Sequence, residues 1–115
     1  LLDTNSIIYA LNCGFSFPKH SYIFSIITEI ELLSFSELTK EESKLIIKAL
    51  NNFQNINITN DIKVKTIDIR KHRKIKLPDS LIIATALNEN AILVTSDKQL
   101  LNLDIIETIE LKELK

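Results

Sequence analysis

Short β-branched runs alternate with amphipathic stretches along the whole chain, and that alternation limits the available folds more than any other feature. Leu1-Leu2 reads as the end of a strand running into Asp3, and Asn5 to Leu11 as a short helix with Ile7, Ile8 and Leu11 on one side. Asn12 to Ser21, with Gly14 and Pro18, is a connection. Tyr22 to Ile27 is β-branched and aromatic, hence a strand, and Thr28 starts a helical turn through Leu33. Thr39-Lys40-Glu41-Glu42 spells a capping box, opening a helix whose Ile46, Leu50 and Phe53 share a face. Ile56 to Thr59 is a brief strand. Asn60 to Lys74 fits strand alternation about as well as a helix; its length and an Asn60 cap favour the helix. Pro78 suits a first helical position, and Leu81 to Leu87 continues as a buried helix. Ala91 to Thr95 is an apolar strand, Lys98 to Leu103 a short helix and Ile105 to Leu111 a last strand. Strands alternating with helices predict an α/β domain with a parallel sheet covered on both faces.

Residues 1–115 make one domain, large enough to bury a core without a disulfide or metal staple. Gly14 is the only glycine, which excludes a dinucleotide fingerprint, a Walker loop and a Gly-x-Ser-x-Gly elbow. Cys13 is the only cysteine, so there is no internal disulfide and no Cys-rich zinc site. His20 and His72 lie far apart, neither with a metal-ligand partner at helical spacing. Fifteen acids and fourteen bases leave a net charge of −1, which rules out a polycationic tail but not a local basic patch. No apolar run approaches the ~18 residues of a membrane span, so a cytoplasmic location is the default. The chain opens on Leu1-Leu2 rather than Met, and the first strand is therefore expected to be seen only at its end.

Any chemistry must then come mostly from carboxylates. Asp3 and Asp97 each follow a strand and precede a helix, and sites in open α/β sheets form beyond the carboxyl ends of strands. Glu31 lies one turn into the helix after Tyr22 to Ile27, near the same edge. Asp79, in the first turn of the Pro78 helix, has Ile82, Ile83 and Ala86 at i+3, i+4 and i+7, so it leaves from the apolar face. Purely structural roles also fit: Asp79 complementing a helix dipole, and Asp3 and Asp97 closing Asx turns. Glu29 competes with Glu31 but should point away from the core. Four carboxylates converging on one edge would repel one another unless a cation lay among them. Mg²⁺ or Mn²⁺, which prefer oxygen ligands, answer that need. Metal-assisted phosphodiester hydrolysis is the reaction class best matched.

Leu1-Leu2-Asp3-Thr4-Asn5, Ser25-Ile26-Ile27-Thr28-Glu29-Ile30-Glu31-Leu32-Leu33, Leu77-Pro78-Asp79-Ser80 and Leu93-Val94-Thr95-Ser96-Asp97 occur in the order of a PIN domain. More narrowly, the chain resembles VapC-type toxins of bacterial toxin–antitoxin pairs, over essentially its whole length. The resemblance implies a three-layer α/β/α fold with a central, mainly parallel sheet. It also implies a metal-dependent endoribonuclease held in check by a cognate antitoxin, and a homodimer. The family's acidic metal site would fall on Asp3, Glu31, Asp79 and Asp97, with Asn5 and Thr95 at polar positions that support it through hydrogen bonds. The stretch between Asp3 and Glu31 is short for the family, so its usual second helix is trimmed or missing.

Lys63, Lys65, Arg70, Lys71, His72, Arg73, Lys74 and Lys76 precede Pro78-Asp79, opposed only by Asp68. They read either as a solvated helix face or, for Arg70, Lys71, Arg73, Lys74 and Lys76, as an RNA-binding rim whose affinity falls with salt. For most of Tyr9, Tyr22, Phe15 and Phe17, core packing suits better than base stacking. Two other function classes compete: a catalytically silent PIN-like module that binds RNA or protein, and a phosphoacceptor domain of receiver type. The second typically has adjacent acids after its first strand and a lysine after its fifth, and neither is found.

Overall fold

A computed structural model describes all 115 residues. The elements run α1 (Thr4–Cys13), β1 (Ile23–Ser25), α2 (Ile26–Leu33), α3 (Lys40–Leu50), β2 (Gln54–Ile56), α4 (Asn60–His72), α5 (Leu77–Asn88), β3 (Leu93–Val94), α6 (Lys98–Leu101) and β4 (Thr108–Ile109), then a 3-10 turn at Leu111–Glu113. Two parallel ladders form, β1 with β2 and β3 with β4. Leu1–Asp3 joins them. Leu2 N–H donates to Ile23 O, Val94 N–H donates to Leu1 O and Asp3 N–H donates to Val94 O, and Leu2 bridges to Val94 in parallel.

Alternation along these strands builds two cores. Leu1, Leu93 and Ile56 face one side, where they pack with Ile62 and Ile69 of α4 and Ile82 and Ile83 of α5. Leu2, Val94 and Phe24 face the other, with Ile7 and Ala10 of α1, Leu32 of α2 and Leu50 of α3. Successive strand residues point to opposite faces, so a sheet with apolar residues at consecutive positions must be covered on both. The expected three-layer α/β/α arrangement follows. No helix is long and apolar enough to cross a membrane.

Several boundaries differ from the sequence expectation, each for a local reason. The helix expected at Thr28 begins at Ile26, because Ser25 Oγ caps it by accepting from Ile27 N–H at 3.2 Å. The strand expected at Ile56 to Thr59 is Gln54–Ile56, since Thr59 leaves the strand to cap α4, accepting from Ile62 N–H. That cap falls on Thr59 rather than Asn60. Pro78 is the second residue of α5, behind Leu77. Strands β3 and β4 are shorter than their apolar runs. The capping box at Thr39 and Glu42 forms as expected.

Ile83, wholly buried between α4, α5 and the sheet, tests the first core. Ile83→Ala should lower unfolding stability by about 2–5 kcal/mol, from lost burial plus the cavity left behind. Urea denaturation measures it, and a loss below about 1 kcal/mol would mean that this core is not packed as described.

Candidate active site

Asp3, Glu31, Asp79 and Asp97 line a single cleft of about 410 Å³, together with Thr4, Asn5, Ile8, Phe35 and other residues. Four separate elements deliver them. Asp3 ends the segment between the two ladders and caps α1, its Oδ1 accepting from Ser6 N–H at 2.8 Å. Ser6 is tied in turn to the sheet, its hydroxyl donating to Val94 O. Glu31 sits on α2, where Thr4 Oγ1 donates to its Oε1 at 2.6 Å and shares a 3.1 Å hydrogen bond with Thr28 Oγ1. Asp97 caps α6, its Oδ1 accepting from Gln99 N–H at 2.9 Å, while its own N–H donates to Thr95 Oγ1.

Asp79, on the third residue of α5, is the one acid of the four without a side-chain hydrogen bond. Burial first, then the charges of Asp97 and Glu31 and more weakly Asp3, raise its carboxyl above the ordinary aspartate range, while Lys76 pulls it down. Asp79 therefore lies within electrostatic reach of the other three acids. Asp3, Glu31 and Asp97 each use one oxygen in a hydrogen bond. No buried side-chain polar atom lacks a partner, so their second oxygens are not sealed from the cleft. As oriented, no three Asp, Glu, His or Cys side chains close around a common point suited to an ion. The cleft's donors are nonetheless all hard oxygens, the set that suits Mg²⁺ or Mn²⁺ rather than a soft metal.

The supporting residues divide. Thr95 is buried and braces the backbone of Asp97, whereas Asn5 lines the cleft without a hydrogen bond to any of the acids. Sequence reasoning assigned no role to Thr4, Ser6 and Thr28, which do the bracing around Asp3 and Glu31. The legible signal was Ser6, three residues after Asp3 at the position a cap would bond; nothing local marked Thr4 or Thr28. Glu29 does lie away from the cleft, its Oε2 accepting from Asn55 Nδ2 at 2.7 Å. Of the basic run, Arg73 is paired with Asp104 at 2.8 Å, while Arg70, Lys71, Lys74 and Lys76 are exposed and unpaired. Phe15, Phe17 and Tyr22 do pack into the core, meeting one another and Phe53 edge to face, but Tyr9 stays exposed.

The family model for the PIN domain matches residues 1–106. The chain belongs to the PIN-domain family. Among solved structures, this PIN domain is similar to a toxin–antitoxin complex from Klebsiella pneumoniae, at 29% identity and a TM-score of 0.74, covering 95% of this chain and 97% of that one. It also shares its fold with VapBC-1 from nontypeable Haemophilus influenzae (23% identity, TM-score 0.76, 97% of each chain). A third likeness is to VapBC2 from Rickettsia felis bound to a promoter DNA fragment (21% identity, TM-score 0.75, 95% and 96% of the chains). A comparison with curated proteins finds no match. Between Cys13 and Ile26 the chain forms no helix, only the strand β1, and these structures are covered almost end to end.

Proposed function

We propose that this PIN domain is a divalent-metal-dependent endoribonuclease and the toxin of a toxin–antitoxin pair. The observation that carries the reading is the lining of one cleft by Asp3, Glu31, Asp79 and Asp97, on a fold whose family is generally nucleolytic. These four residues would hold Mg²⁺ or Mn²⁺, which when bound lowers the pKa of a water and offsets charge developing on a phosphoryl group.

The chain's own residues divide the remaining work. Ser6 N–H, the Thr4 hydroxyl and Gln99 N–H fix Asp3, Glu31 and Asp97, so three charges are aimed before substrate arrives. Asp79, unbraced and with its carboxyl raised, is the acid freest to turn and to take a proton from an attacking water at its Oδ atoms. Arg70, Lys71, Lys74 and Lys76, with Arg73, would meet the RNA backbone along the approach to Asp79. Incubating the purified protein with single-stranded RNA in Mn²⁺ and in EDTA tests the reading; intact RNA in both sinks it.

An antitoxin has a suitable landing surface. Ile8, Leu11, Leu32, Phe35, Leu45 and Ile46 line an apolar groove of about 470 Å³ that shares Ile8 and Phe35 with the acidic cleft. A segment laid in that groove would reach the acids. The similar structure from Klebsiella pneumoniae is such a complex. Ile30, Leu45 and Ile47 remain exposed on α2 and α3, apolar surface that a second copy of the chain would cover. Sedimentation at micromolar concentration should therefore give a homodimer. A monomer that does not shift at higher loading would reject it.

A further inference from the structure

We propose that a second cleft, walled by Asn5, Tyr9, Ser96, Glu110 and Lys112, is a nucleobase subsite beside the acids, an inference that rests on the nuclease reading above. This cleft, about 420 Å³, meets the acidic one at Asn5, which lines both. Asn5 and Tyr9 stand at i and i+4 on α1, hence on the same face. A strand whose phosphate lies at the carboxylates would carry its neighbouring nucleotide over Asn5 toward Tyr9.

Three observations favour a base over other occupants. Tyr9 is 57% exposed and has no aromatic neighbour, whereas Phe15, Phe17, Tyr22 and Phe53 are paired edge to face. A flat ring left open to solvent is the platform on which unstacked bases lie. The Asn5 amide and the Ser96 hydroxyl make no protein hydrogen bond and can serve the donors and acceptors on a base edge. The charges here nearly cancel, since Lys112 Nζ lies 3.5 Å from Glu110 Oε2. A phosphate would meet the Glu110 carboxylate, but a neutral base with N–H donors is accepted by it.

The experiment compares wild type, Tyr9→Ala and Tyr9→Phe in Mn²⁺-dependent cleavage of a single-stranded RNA. Tyr9→Ala should raise KM roughly 5- to 100-fold with kcat within about threefold, and Tyr9→Phe, which keeps the ring, should stay near wild type. A parallel arm measures binding to Asp79→Asn protein of that RNA and of an abasic ribose-phosphate oligomer of equal length. RNA should bind more tightly, and adding Tyr9→Ala should erase the difference. Equal binding of the two oligomers, or no effect of Tyr9→Ala on either arm, overturns the subsite. A change of sedimentation state on Tyr9→Ala would instead mark a protein interface and also overturn it. Because the binding arm needs no turnover, Tyr9-dependent binding there together with wild type that never cleaves would refute the nuclease reading alone.

Discussion

Asp79→Asn should fold as wild type does and lose nearly all Mn²⁺-dependent cleavage of single-stranded RNA, a fall of at least about a hundredfold in kcat. The substitution removes one charge with almost no change in volume. Asp79 braces nothing through its side chain, so the loss cannot be charged to a broken cap or an unpaired partner. Asp3→Asn and Asp97→Asn are less clean probes because both residues also cap helices, although Asn caps nearly as well as Asp. Circular dichroism and a single-turnover assay on the same preparation make the comparison. Activity within twofold of wild type would remove Asp79 from the site and undo the assignment of the cleft.

The second large effect is on stability. The Asp79 carboxyl is raised from 3.8 by burial and by Asp97, Glu31 and Asp3, so the metal-free native state holds its proton more tightly than the unfolded chain. Its contribution is fully present below the unfolded pKa, and it is lost as pH rises through the higher folded value. Melts in EDTA should therefore lose stability from about pH 4 upward on this account. Near neutral pH, Mn²⁺ at one hundred times its dissociation constant should restore about 2.7 kcal/mol, or roughly 10 °C for a domain of this size. Asp97→Asn removes the largest charge acting on Asp79 while keeping an acceptor for Gln99 N–H. It should melt higher than wild type in EDTA and gain less from Mn²⁺. If wild type gains nothing from metal and Asp97→Asn melts lower in EDTA, the four acids do not work as one group.

The acids were legible in the sequence because each stands where a strand yields to a helix or on an apolar helix face. That reasoning needs only element order, and the order survives errors of boundary. Boundaries were harder. Ile26 and Ile27 are β-branched and read as strand, but Ser25 has already capped a helix there, and one hydroxyl outweighs the propensity of two side chains. Ile105 to Leu111 reads as a long strand, yet the ladder is confined to Thr108 and Ile109, with Glu107 O and Ile109 O accepting from Leu93 and Thr95, because β3 offers just two residues to pair with. The bracing of Glu31 by Thr4 was not legible at all. Their hydrogen bond spans twenty-seven positions, and nothing local in either segment announces it.

The seating of Leu1–Asp3 between β1 and β3 has a consequence for synthesis on the ribosome. Asp3 has no fixed place until Val94 exists to receive its backbone N–H, and Ser6, which holds the Asp3 carboxylate, also leans on Val94 O, eighty-eight residues away. At ordinary translation speed that wait is roughly 5–20 seconds. A nascent chain, or any product interrupted before this point, carries Asp3, Glu31 and Asp79 but no frame that brings them together. On the nuclease reading proposed above, such a chain would be harmless to the messenger RNA from which it is being read, and the cell would meet an armed molecule only when its translation is nearly done.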